Sequence, residues 1–292
     1  MNKFCDDFVQ AICYDKKTGI CAGVVLAVIL GLLSFSTYLV FKPIECVEDK
    51  PKTLFSLRGG LGFYKEVKCK ETSIVGSPFV VALIDRDLHV HVCTGIIIAQ
   101  NWVLTAAHCL SSCNGENCIN FAIRIDSSYS NRGGTINNIT LVVRHPLYEI
   151  STLDNALALL KTDGHVLHHK IKIGPPLEVG TKGILLGWSP HGKVDLHGDN
   201  TLKKMYFKAE PKIICSYRLK GDYLKIPLSE HASCITLDEE GCYTDPGGPL
   251  INRNKLVAMV IFGKICYNCD SQVTIATNIY PYIEFINKFI NN

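Results

Sequence analysis

Residues 102–109 read WVLTAAHC, a short apolar run that ends in His108 and Cys109. Working outward, the chain keeps one texture from Ile74 to near its end. Brief apolar runs, FVVALI (79–84), VCTGIII (92–98), FAIRI (121–125), ITLVV (139–143), GILLGW (183–188) and LVAMVIF (256–262), are broken by Gly, Asn, Asp and Pro. That pattern belongs to an all-β barrel or sandwich. The last segment departs from it. In PYIEFINKFI (281–290), Ile283, Phe285, Ile286, Phe289 and Ile290 recur near helical spacing, which predicts one amphipathic C-terminal helix. Three other stretches stand out beside WVLTAAHC: IVGSPFVVAL from Ile74, DNALALLK over 154–161, and CYTDPGGPL over 242–250.

The 292 residues, 47% of them apolar, suffice for one large domain or two small ones. A net charge of +3, with Lys and Arg scattered, gives no reason to expect nucleic acid as a partner. The 14 cysteines lack the repeated CxxC pairs of a zinc site, and so point to disulfides and an oxidising compartment. Residues 18–41, TGICAGVVLAVILGLLSFSTYLVF, carry no charge. As a helix they would reach about 36 Å, enough to cross a bilayer. The run exceeds a signal-peptide core, so the sequence predicts a retained anchor, with a cleaved signal and a secreted product as the alternative. Lysines flank both ends (Lys3, Lys16 and Lys17 against Lys42, Lys50 and Lys52) and do not orient it. Cysteine usage does: the cysteine-rich part follows the span. The expected arrangement is a single-pass type II protein of the cell membrane: cytoplasmic tail 1–17, transmembrane signal-anchor 18–41, stem 42–73 and an extracellular domain 74–292. Eleven cysteines follow the span, an odd number that leaves one thiol free or intermolecular.

Taken together and in this order, the four stretches resemble the trypsin/chymotrypsin family of serine proteases, over nearly everything after residue 73. The resemblance implies two antiparallel six-stranded β-barrels, about 74–180 and 181–292, with a C-terminal helix. Acyl transfer needs a nucleophile, a base within hydrogen-bond reach, and a group that holds the base in its tautomer. It implies His108 as the base, Asp154 as the orienting carboxylate, and position 246 as the nucleophile. It also implies the disulfides Cys93–Cys109, Cys215–Cys234 and Cys242–Cys266, with Cys269 as a rival partner for Cys242. Cys113 and Cys118 are additional and can close a small ring.

The sequence departs from the family where the chemistry is done. The family pattern G-D-S-G-G-P becomes Thr244-Asp245-Pro246-Gly247-Gly248-Pro249. Pro246 has no hydroxyl to acylate and no N–H to give an oxyanion. Thr244 stands at the position of the other oxyanion donor, where the family has glycine. In the substrate pocket, Glu240 stands at the floor, Thr274 replaces a wall glycine, and Ile261 and Phe262 replace a serine and a tryptophan. Activation in the family frees an isoleucine amine that pairs with the aspartate before the nucleophile. Ile74 and Asp245 are present, but Ser73 precedes Ile74 where a tryptic activator needs Arg or Lys.

The expectation is therefore an inactive protease homologue that binds an extracellular protein, namely a protease, substrate or inhibitor. The competing reading is a residual serine-type endopeptidase with Thr244, Tyr243 or Ser271 as nucleophile. No cofactor is expected. Asn138-Ile139-Thr140 is a glycosylation sequon, read as lying in a polar loop. The groups His89/His91 and His165/His168/His169 lack the companions of a metal site, and His91 resembles the family's packing histidine.

Overall fold

A computed structural model describes residues 70–291, apart from 89, 112, 114–117, 119, 165–168, 189–199, 219–227, 239–244 and 264–272. These residues fall in the compact unit Lys65–Asn292. The anchor expected over 18–41 lies outside them. Among the described residues no helix is long and apolar enough to cross a membrane.

Six strands close the first barrel: β2 (Val80–Asp85), β3 (Val90–Ala99), β4 (Trp102–Ala106), β5 (Phe121–Ile125), β6 (Thr135–Arg144) and β7 (Leu157–Thr162). They follow the order β2-β3-β4-β7-β6-β5, and β2 pairs with β5 to shut the ring. Residues 80–83 of β2 and 157–160 of β7 are wholly buried. That explains why these strands read as unbroken apolar runs and not as alternations.

The second barrel is built from β9 (Lys182–Gly187), β10 (Lys203–Glu210), β11 (Ala232–Leu237), β12 (Pro249–Asn252), β13 (Lys255–Gly263) and β14 (Val273–Asn278). Antiparallel pairing runs β9-β10-β11-β14-β13-β12 and back to β9. Here β10 alternates: Met205, Phe207 and Ala209 face the core, while Tyr206 is exposed. β8 (Lys172–Ile173) adds a short parallel pairing to β13.

Two elements differ from the sequence reading. Residues 70–73 were expected in the stem, yet β1 (Lys70–Glu71) pairs with β10, and Lys203 meets Glu71 at 3.2 Å. The second barrel thus incorporates residues ahead of Ile74. A helix, α1 (Lys212–Arg218), was also not anticipated. Its apolar residues give no buried stripe, because Ile213 and Tyr217 are 68% and 73% exposed. Cys215, wholly buried, fastens it to Cys234 of β11.

The C-terminal helix, α2 (Ile283–Ile290), has the expected face: Ile286 is buried, Ile283, Phe285, Phe289 and Ile290 are half-buried, and Glu284, Asn287 and Lys288 are exposed. It carries the end of the second barrel's chain onto the first. Phe289 meets Trp102 of β4 at 6.2 Å between ring centroids, and His145 sits against Tyr282 and Phe285 at 5.2 and 4.8 Å. His231 packs on the same Tyr282 at 5.5 Å.

Burial pushes the His145 imidazole below its ordinary value, and His231 pushes it further down. The folded chain therefore binds this proton less tightly than the unfolded chain, whose imidazole titrates near about 6.5. The associated stability is present above that pH and is lost as pH falls below it. Thermal melts should show a constant Tm from about pH 8 to 7 and a decline from about pH 6.5 to 5. The decline should be shallower in His145→Phe, and a Tm that rises on acidification over this window would contradict the assignment.

Candidate active site

The chain leaves β4 at Ala106 and makes one turn of 3-10 helix, Ala107–Leu110, that carries His108. Several contacts hold this turn. Cys109 is bonded to Cys93 on β3. The Ala107 N–H donates to the Ala156 carbonyl at 3.1 Å. Arg144 donates to the carbonyls of Leu110 and, at 2.6 Å, Cys113, and a disulfide joins Cys113 to Cys118. His108 itself is half-buried, and its buried Nδ1 has no hydrogen-bond partner. Burial alone pushes its imidazole below the ordinary value, so the ring is neutral at physiological pH.

Asp154 makes its backbone bonds within its own loop. It lies in the loop between β6 and β7, flanked by Leu153 (φ 56°) and Asn155 (φ 51°), both left-handed. Its carbonyl accepts from the Glu149 N–H at 3.1 Å and its own N–H donates to the Thr152 hydroxyl at 3.3 Å. Among the described residues no hydrogen bond joins Asp154 to His108. The Asp154 carboxylate acts instead on Tyr282: burial is the main cause that raises that phenol, with Asp154 adding to it. Tyr282 donates to Asn155 Oδ1 at 3.1 Å. Among the described residues the expected base and carboxylate are thus not joined by a hydrogen bond.

Pro246 occupies a tight turn. The Gly248 N–H donates to the Asp245 carbonyl at 2.9 Å, and Gly247 has φ 84°. Proline fixes φ near −65°, so Pro246 and Gly247 form positions two and three of a type II turn, where proline and glycine are favoured. Glycine is also required sterically, since a Cβ on Gly247 would lie 1.8 Å from the Thr94 carbonyl oxygen. The turn is tied to the first barrel. The Thr94 N–H donates to the Pro246 carbonyl at 2.9 Å, and the Thr105 hydroxyl donates to the Thr94 carbonyl at 2.8 Å. Thr105 lies on β4, three residues before His108, so these bonds draw Pro246 and His108 to the same junction.

Asp245, 3% exposed, is the buried charge of this junction. One of its oxygens accepts from the Trp188 N–H at 2.6 Å, the Thr94 hydroxyl at 2.9 Å and His91 Nε2 at 2.9 Å. Burial pushes its carboxyl up, but His91 and the two other donors outweigh this and hold it below the usual carboxylate range. Thr94 and Trp188 carry no signal in the sequence, because their role depends on contacts across the barrels. The segment that activation would free is engaged elsewhere: Ile74 is buried and its N–H donates to Ser128 Oγ at 3.0 Å, while Ser73 caps the turn through Val75. Among the described residues the Ile74 N–H goes to Ser128 and not to Asp245.

Ile261 is 5% exposed and falls where the β13–β14 register shifts, as the extra residue between Val260 and Phe262. Such a bulge re-aims side chains at a site. Phe262 is half-buried, and Thr274 is buried on β14 opposite Gly263 and Ile235. Glu240, Thr244 and the Cys242–Cys266 pair lie outside the described residues, as do His89, His165 and His168. No group that could hold a metal occurs among the described residues. His169 pairs with Asp126 at 3.1 Å. Asn138 of the sequon is exposed but lies within β6, not in a loop, and its amide is engaged by Arg86 and Asp163.

Two linked six-stranded barrels, a histidine at the end of β4 and a buried aspartate in a D-P-G-G-P turn define a serine-protease scaffold. The family model described as Trypsin matches residues 66–286, and the chain belongs to that family. Relatives include trypsin eta of Drosophila melanogaster, 28% identical over 232 residues, covering 75% of this chain and 86% of that one. The vitellin-degrading protease of Bombyx mori is 25% identical over 241 residues, 80% and 88% of the two chains. Granzyme M of Rattus norvegicus is 28% identical over 230 residues, 73% and 84% of the two chains.

The buried carboxylate sets a stability expectation. Asp245→Ala would leave the Trp188 N–H, the Thr94 hydroxyl and His91 without their shared acceptor, and removing one partner of a buried charged network costs about 3–5 kcal/mol. Urea unfolding should report a loss of that size. A loss within ordinary surface-substitution range would mean the carboxylate does not hold the junction.

Proposed function

We propose that this trypsin-family chain is catalytically inactive and acts by binding a protein partner at the cleft between its barrels. Pro246 carries the proposal. It stands where the family pattern places the nucleophilic serine, in a turn whose geometry favours proline. A serine hydroxyl is missing, and so is one of the two N–H donors that stabilise the oxyanion. Losing one such donor costs about 10²–10³ in rate by itself, and without a nucleophile no acyl-enzyme can form. The neutral, unpartnered His108 supports the same reading, since a base without an orienting group is poorly placed to take a proton.

The partner we propose is an extracellular protein of a proteolytic cascade, that is, a protease, its substrate or its inhibitor. The disulfides Cys93–Cys109, Cys113–Cys118 and Cys215–Cys234 favour an oxidising compartment. The uncharged run over 18–41 supports a tether that leaves the barrels outside the cell, with secretion as the alternative. Glycosylation at the exposed Asn138 belongs to the same proposal.

A fluorophosphonate probe, which needs an activated serine, should not label the natural protein. Pro246→Ser should fold with a loss of about 0.4–1 kcal/mol, because proline restricts the unfolded chain at a compatible position. It should label only weakly, since catalytic parts act as a unit. Labelling of the natural protein that vanishes in His108→Ala would overturn the proposal in favour of a residual hydrolase with another nucleophile. Efficient peptide cleavage by Pro246→Ser would show that the rest of the cleft is intact.

A further inference from the structure

We infer that Ala156, and not Asp154, fills the place from which a carboxylate would hold the His108 imidazole, so the site has lost its orienting group as well as its nucleophile. The inference rests on reading this cleft as a former active site, and deepens it.

The register of the first barrel carries the argument. Strands β4 and β7 pair Thr105 with Ala158 and Ala106 with Leu157. The ladder continues one step, through the Ala107 N–H bound to the Ala156 carbonyl at 3.1 Å. The residue facing the start of the His108 turn is therefore Ala156. Asp154 lies two residues further on, beyond the left-handed Asn155, in a loop that bonds to itself through Glu149 and Thr152. Its carboxylate acts on Tyr282, on the far side of Asn155 from Ala156.

The chemistry of the surroundings agrees. Ala106, Ala107, Ala156 and Leu157, on and beside the turn, are all wholly buried, and none has a polar side chain. Beside them His108 brings a buried Nδ1 with no partner. An unmet polar atom in such a place costs free energy, and a carboxylate from position 156 would supply the missing acceptor. With alanine there, the ring has no anchor to fix its tautomer and no anion to stabilise an imidazolium. In the well-studied members of this chemistry, neutralising the triad carboxylate alone lowers kcat by about 10⁴. A serine restored at 246 would face a base that is neither oriented nor supported.

The test is a titration of His108 by NMR in the full chain with isotope-labelled histidine, its signal assigned from His108→Ala. In the natural protein His108 should titrate below the ordinary imidazole value. Asp154→Asn should leave that titration unchanged. Ala156→Asp should raise it by about 1–3 units, as expected for an opposite charge within hydrogen-bond reach, and Ala156→Asn should not. Ala156→Asp that folds and leaves His108 unmoved would overturn the inference, as would Asp154→Asn that lowers the titration by about a unit or more. If Ala156→Asp fails to fold, Asp154→Asn decides alone: no shift supports Ala156, and a fall restores Asp154. Failure of the inactive reading is seen separately, as probe labelling of the natural protein, and leaves the histidine titration where it was.

Discussion

The carboxylate of Asp245 is the constraint on which the rest of this structure turns. Almost wholly buried, it collects the Trp188 N–H from the end of β9 and the Thr94 hydroxyl and His91 ring from β3. One group therefore joins the second barrel to the first. Such a charge is tolerable only when it is fully hydrogen-bonded, so the segments that supply its donors are fixed in place together. Trp188 is held again through its indole N–H on the Ser128 carbonyl, and Ser128 accepts from Ile74. The N-terminal edge of the domain, the barrel junction and the D-P-G-G-P turn thereby form one connected network.

This network holds the trypsin-family fold at the barrel junction, and the proposed loss of catalysis leaves it intact. The type II turn keeps its backbone, because Gly247 supplies the left-handed position and the Thr94 carbonyl leaves no space for a side chain there. Position two of that turn accepts proline without strain, so Pro246 carries no folding penalty there. The His108 turn is likewise kept by the Cys93–Cys109 bridge and by Arg144. A rigid junction of this kind suits the proposed binding role, since loops around it can recognise a partner without transforming it.

Much of this was legible in the sequence, and the parts that were not share a cause. Short apolar runs gave an all-β barrel or sandwich, the family resemblance gave the two barrels, and the spacing of Ile283, Phe285, Ile286, Phe289 and Ile290 gave the C-terminal helix, because runs and spacing are local patterns of burial. Helix α1 escaped because Ile213 and Tyr217 point to solvent and the deeply buried Cys215 is secured by a disulfide. Asn138 read as a loop residue because a polar, exposed face of β6 looks like one in sequence. The choice between Asp154 and Ala156 depended on strand register across β4 and β7, and on two left-handed residues that end the ladder. An acidic residue near a motif is visible in a sequence, whereas the position opposite Ala107 is not. The partners of Asp245 lie far away in the chain, at His91, Thr94 and Trp188, and no local pattern connects them.

The central claim is that the cleft binds and does not cut. It is tested most directly by incubating the purified full chain with a diverse peptide library and reading every product by mass spectrometry, alongside the His108→Ala variant. The account predicts identical peptide inventories for both proteins and for the buffer. Cleavage by the natural protein that disappears in His108→Ala would contradict it.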